Sequence, residues 1–159
     1  MKTIISKTAT DPVNILLIGN NPIEMGPVLD KLKQVRTRKI ITEIAFDLKS
    51  IVERLVKFNP NFIFIDDNIG RDELMQTVSR LSANRKTRDI PITVLKNNNY
   101  REALAASSIQ DYLLKQNLTT EALYNTIKNT LRFKKTQRYL AQATFKSKNG
   151  IMKFFEKRA

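Results

Sequence analysis

The sequence predicts an α/β domain on a parallel sheet, and three observations carry that prediction. Strands alternate with helices along the chain, the inner strands are apolar on both faces, and the apolar runs end abruptly in polar or acidic residues. Val13-Asn14-Ile15-Leu16-Leu17-Ile18 reads as a buried strand; Gly19-Asn20-Asn21 is a loop, and Pro22 opens a helix in its first turn. That helix carries Met25, Val28, Leu29, Leu32 and Val35 at three-and-four spacing. Ile40 to Phe46 is more polar and suits an edge strand. Asp47 caps the next helix, whose inward stripe is Leu48, Ile51, Val52 and Leu55, and Asn59-Pro60 stops it.

Asn61-Phe62-Ile63-Phe64-Ile65 forms a second buried strand that closes on Asp66-Asp67, ahead of a helix with Leu74, Val78 and Leu81. A basic loop through Arg85, Lys86 and Arg88 leads to the strand Ile90-Pro91-Ile92-Thr93-Val94-Leu95, then to Lys96 and the asparagines 97–99, expected to be a solvated loop. A short helix with Tyr100, Ala103 and Leu104, the strand Asp111-Tyr112-Leu113-Leu114 ending in Lys115, and a helix from about Thr119 through Leu123, Ile127 and Leu131 complete the domain. Five strands and five helices in alternation place a helical layer on each face of the sheet, with a ligand site at the carboxyl ends of the strands.

Composition narrows the chemistry. With no Cys and no His among 159 residues there is no disulfide, thiolate metal site, imidazole base or histidine ligand. Carboxylate, lysine or hydroxyl chemistry, oxygen-ligated metal, or no chemistry remains, and a protein that is not an enzyme is expected. The short apolar run at the N-terminus is no signal peptide, and no stretch reaches the length of a membrane span, so a cytoplasmic location is expected. The net charge of +13 favours anionic partners, and it is uneven: residues 119–159 hold ten Lys and Arg against two Glu, a net +8.

The strand-loop-proline-helix opening, the run Asn61 to Asp66, the strand Ile90 to Leu95 and Asp111-Tyr112-Leu113-Leu114-Lys115 together resemble the receiver domain of two-component response regulators over residues 12–134. The resemblance implies a flavodoxin-like three-layer sandwich with strand order 2-1-3-4-5. It also implies a phosphoacceptor role for Asp66, an invariant-lysine role for Lys115, a switch-aromatic role for Tyr112, and a histidine kinase as a possible partner. The departures matter as much. Receivers end the first strand with acids that hold a divalent ion, whereas Gly19, Asn20 and Asn21 offer no carboxylate, so Mg²⁺ at Asp66 is expected to be weak if it binds, and no other cofactor is implied. Lys96 stands where receivers have a Ser or Thr. Lys96 and Lys115 are expected to reach Asp66 and hold it ionised, in a pocket completed by Asn20, Asn21 and Asp67. Gln116 and Gly70 replace two familiar prolines, and the fourth helix looks clipped.

Residues 1–11 form an N-terminal tail and residues 135–159 a basic extension. The last helix continues through Lys134, Lys135, Arg138 and Tyr139; Lys146 to Gly150 reads as a linker, and a terminal peptide carries Phe154, Phe155, Lys157 and Arg158. Basic residues interleaved with aromatics suit an acidic protein groove, a nucleic acid or a membrane surface. The favoured expectation is a degenerate, single-domain receiver that signals through protein contacts at its fourth and fifth helices and its basic tail, without efficient phosphorylation. The alternatives are an Mg²⁺-dependent phosphoacceptor and a nucleic-acid-binding regulator; a homodimer is open.

Overall fold

A computed structural model of the chain describes residues 11–97 and 109–158, with the side chains of 110, 111, 117 and 145–158 excepted. The expected helix around Tyr100 to Leu104, asparagines 98 and 99, and the first ten residues lie outside the described part. Strands β1 (Val13–Ile18), β2 (Ile40–Ala45), β3 (Phe62–Asp66), β4 (Ile92–Lys96) and β5 (Ile109–Leu114) form one sheet in the order β2-β1-β3-β4-β5. Every neighbouring pair is parallel. This is the flavodoxin-like arrangement.

The period-two alternation of the strands splits the core into two layers. Leu16, Ile18, Ile63, Ile65 and Val94 pack with α2 (Leu48–Leu55) and α3 (Arg71–Ala83). Ile15, Leu17, Phe62, Phe64 and Leu95 pack on the other face with α1 (Pro22–Lys33) and the C-terminal helix α4 (Thr120–Arg158). β3 is buried along its whole length because it is the central strand of the sheet, whereas β2, at the edge, is mostly half-exposed.

Local chemistry sets the helix starts. Asn21 caps α1 by accepting the Ile23 N–H at 3.0 Å, and Asp47 with Ser50 forms a reciprocal capping box at the start of α2. Gly70 has φ of +93°, a conformation that proline cannot adopt and other side chains avoid, which is why glycine stands there.

Two expectations need correction. Val52 is 64% exposed and not part of the inward stripe, since the short α2 turns only Ile51 and Leu55 fully onto the sheet and leaves Val52 lining a groove against α3. The linker expected at Lys146 to Gly150 is helical: α4 runs unbroken from Thr120 to Arg158. A lone glycine costs a helix about 1 kcal/mol, and the flanking lysines are good helix formers, so Asn149-Gly150 does not end it. Among the described residues no helix is long and apolar enough to cross a membrane.

Candidate functional site

The carboxyl ends of β3, β4 and β5 bring Asp66, Lys96 and Lys115 to one end of the sheet, where the loop after β1 and the first turn of α1 also arrive. Asp66 is 1% exposed. Its Oδ1 accepts from the Lys115 ammonium at 2.8 Å and from the Asn68 backbone N–H at 2.9 Å. The same ammonium donates to Glu24 Oε2 at 2.5 Å, and the Asn68 side-chain amide donates to that glutamate oxygen too. Lys115, Asp66, Asn68 and Glu24 therefore close a ring in which one cation is shared by two carboxylates.

The surrounding residues fasten this ring to β4. The Asn97 amide donates to Asn68 Oδ1, and the Asn97 backbone N–H is shared between the two Asp67 oxygens at 3.2 Å each. A shallow cavity of about 370 Å³ opens beside the ring, lined in part by Glu24, Lys31, Asn97 and Lys115.

The electrostatics follow from the pairing. The Lys115 hydrogen bond holds Glu24 below its ordinary carboxylate range. Burial opposes the charged form of Lys115, but its hydrogen bonds and charge contacts with Asp66 and Glu24 outweigh that, and its pKa is raised. Asp67 is pushed up by burial, against the opposing pull of the Asn97 N–H. Burial likewise raises Tyr112.

Several expected site residues take other places. Lys115 pairs with Asp66 as expected, whereas the Lys96 ammonium lies over the Tyr112 ring, 5.3 Å from its centroid. Tyr112 is half-buried against the α2 and α3 side of the core. Asn21 is engaged in capping α1, and Asn20 is exposed. Asn97, expected in a solvated loop, is partly buried and bonded. Lys134 is half-buried on α4, Lys135, Arg138 and Tyr139 are exposed, and Phe154, Phe155, Lys157 and Arg158 lie on the distal helix, whose side chains are outside the described part.

Glu24, Asn68 and Asn97 were not singled out from the sequence. An acid in the first turn of a helix is ordinary complementation of the helix dipole, so Glu24 carries no distinctive signal. Its proximity to Lys115, 91 positions away, exists only in the folded chain.

A divalent ion beside Asp66, which the receiver pattern implies, finds a poor donor set. Lys115 takes Asp66 Oδ1 and Glu24 Oε2 together, and both Asp67 oxygens accept from Asn97. At the end of β1, a Cβ on Gly19 would stand 2.7 Å from Met25 Sδ and 3.2 Å from Asp66 Cβ, so a thioether fills the space a liganding side chain would enter. Among the described residues no group of three acidic side chains is placed to hold a metal ion. The residues present do not fit the ion.

No protein-family model matches the sequence, and comparison with curated proteins finds no match. Solved structures do match. The receiver domain of the sensor histidine kinase PA1611 from Pseudomonas aeruginosa PAO1, which holds a magnesium ion in its active-site cleft, superposes with a TM-score of 0.62 at 18% identity, over 76% of this chain and 98% of that one. Chemotaxis response regulator CheY4 of Vibrio cholerae gives 0.62 at 16% identity, over 75% and 98%. A response regulator from Desulfuromonas acetoxidans gives 0.62 at 20%, over 76% and 98%. These receivers are covered almost whole, while about a quarter of this chain lies outside the match. With its strand order and its Asp66–Lys115 pair at the carboxyl ends of the strands, the chain has the fold of a response regulator receiver domain.

Proposed function

We propose that this chain is a pseudo-receiver: a signalling module that works through protein contacts, with its phosphoacceptor pocket held shut by its own side chains. The observation that carries this reading is the ring of Lys115, Asp66, Asn68 and Glu24. Phosphoryl transfer asks a protein mainly for positioning and for compensation of the charge on the transferring group. Here the invariant-type lysine is already shared between two carboxylates, and the end of β1 supplies no acid to recruit a metal.

Contacts with a protein partner would use the side of the molecule formed by β4, β5 and α4. There the Lys96 ammonium lies over the ring of Tyr112, the position at which receivers change an aromatic rotamer, and this contact favours the rotamer seen. The pairing of charges at Asp66 makes that arrangement independent of a phosphoryl donor.

One observation favours the rival phosphoacceptor reading: Asp66 Oδ2 is buried without a hydrogen-bond partner, which leaves one oxygen of the carboxylate unengaged. Intact-mass analysis after incubation with acetyl phosphate and millimolar Mg²⁺ decides between them. The pseudo-receiver reading expects no hydroxylamine-labile phosphoryl adduct on the native chain. An adduct on the native chain that disappears in Asp66→Asn would establish the phosphoacceptor instead.

A further inference from the structure

The opposite end of the sheet holds a second concavity. A groove of about 660 Å³ runs between the amino-terminal ends of β1 and β3, the loop before β2, and one side of α4. Arg38, Lys128, Arg132 and Lys135 line it, with Asp11 as its one acid. Tyr124 sits half-buried in the same wall, and the Lys128 ammonium lies 5.9 Å from the centre of its ring. Among the described residues, no carboxylate pairs with Lys128, Arg132 or Lys135, and all three are exposed. Arg38 is oriented by its Nε donating to the Asp11 carbonyl at 3.0 Å.

The groove does not end where the domain ends. Lys128, Arg132, Lys135 and Tyr139 follow at intervals of four, three and four residues, which puts them on one face of α4. The helical repeat returns that face eighteen residues later to positions 146, 150, 153 and 157, which are lysine in the sequence except for Gly150. From Ala122 to Phe155 the helix contains eight Lys and Arg and no acid. The stripe from Lys128 to Lys157 spans about 44 Å at 1.5 Å per residue.

We infer that this groove, with the helix face that prolongs it, binds the phosphodiester backbone of a nucleic acid. Charges of a single sign placed along one helix complement a polymer whose own charge is regular, and a half-buried tyrosine among them offers a surface on which a base can stack. A bilayer is a poorer match, because the surface is concave and its described helical part presents Lys128, Arg132 and Lys135; the exposed apolar residues Phe133 and Leu140 lie on another side of the helix. An acidic protein groove is also a poorer match, since such grooves present local charge, whereas the cations here are spread along the helix. Its cations meet phosphates and its aromatic ring meets base faces, so the binding is expected to be independent of sequence and to fall steeply with salt. This inference does not depend on the state of Asp66.

The test is fluorescence anisotropy with the full chain and a labelled mixed-sequence oligonucleotide, single-stranded and duplex, between roughly 50 and 200 mM salt. The charge-reversed variant Lys128→Glu/Arg132→Glu/Lys135→Glu is expected to lose on the order of a hundredfold in affinity, and about 2 to 3 in the slope of log affinity against log salt. A control with the same charge change on the far side, Lys49→Glu/Lys57→Glu/Arg85→Glu, is expected to lose far less. Circular dichroism checks that both variants fold, and Arg132→Ala alone, with an expected loss of about tenfold, keeps the test decisive should the triple variant unfold. Equal losses in groove and control variants, or no salt-dependent binding by the native chain, would overturn the inference. So would competition by poly-glutamate or by phosphatidylglycerol vesicles as effective as that of unlabelled oligonucleotide, which would assign the groove to an acidic protein or to a lipid surface.

Discussion

Glu24 ties the first turn of a helix to the lysine that follows the last strand. It sits in the first turn of α1, reaches the ammonium of Lys115 and takes a second hydrogen bond from Asn68. Because its pKa is lowered from 4.5, the stability it contributes is present above that pH and is lost as pH falls through the lower folded value. Lys115 acts at the other limit: its pKa is raised from 10.5, so its contribution is present below that value and is lost as pH rises through the folded one. Asp67 runs against Glu24 in acid, since a carboxyl raised by burial costs stability when ionised and regains it on protonation. The difference between native chain and Glu24→Gln isolates the glutamate. Urea unfolding is expected to show a constant gap from pH 6 to 8, of less than about 1 kcal/mol because Glu24 is 38% exposed and screened, and a shrinking gap below pH 4.5. A gap that stays constant into acid would show that the pair does not stabilise the fold.

At the level of elements, strands and helices were largely legible because burial imposes its own periods on the sequence. β1 and β3 announce themselves as apolar runs, and Asp66 and Lys115 stand out because they fall at or just after strand ends where the receiver pattern has its acid and its lysine. What stayed hidden depends on long-range placement. Asn68 and Asn97 are ordinary loop residues until the ends of β3 and β4 come side by side, and Met25 fills the space at Gly19 only once α1 is docked. The unbroken α4 was missed for the opposite reason, a local glycine read as a break in a stretch where it is merely unfavourable. Its anchoring is short: Leu123 and Ile127 are buried and Leu131 packs against the core, whereas residues 135–144 are all exposed. Truncation after Arg138 is therefore expected to leave the melting temperature within about 2 °C of the full chain, since the anchoring residues Leu123, Ile127 and Leu131 are all retained. A larger drop would mean that the distal helix packs on the domain.

On the scale of the molecule, the sheet separates two chemistries. The ring with three nearby carboxylates, Glu24, Asp66 and Asp67, lies at the carboxyl ends of the strands, and the basic groove lies at their amino ends. The five residues of β3 set these about 16 Å apart. Removing Lys115 strands a buried carboxylate, so Lys115→Met should cost about 3 kcal/mol. Reversing Arg132 at the other end should leave that cost unchanged, and a double-mutant cycle in urea is expected to add within about 0.5 kcal/mol. A larger coupling energy would mean that the two ends communicate through the sheet.

The closed ring has a consequence for how a signal of this kind is metered. Every group in it is supplied by the chain itself at synthesis, with nothing to be added by a donor and nothing to be removed by hydrolysis. A receiver of the ordinary kind carries a clock, because its modified form decays. On the pseudo-receiver function proposed above, a module locked by its own side chains carries none, and its output would rise and fall with the number of copies in the cell, so that the rates of its synthesis and destruction would take the place of the kinase and the phosphatase.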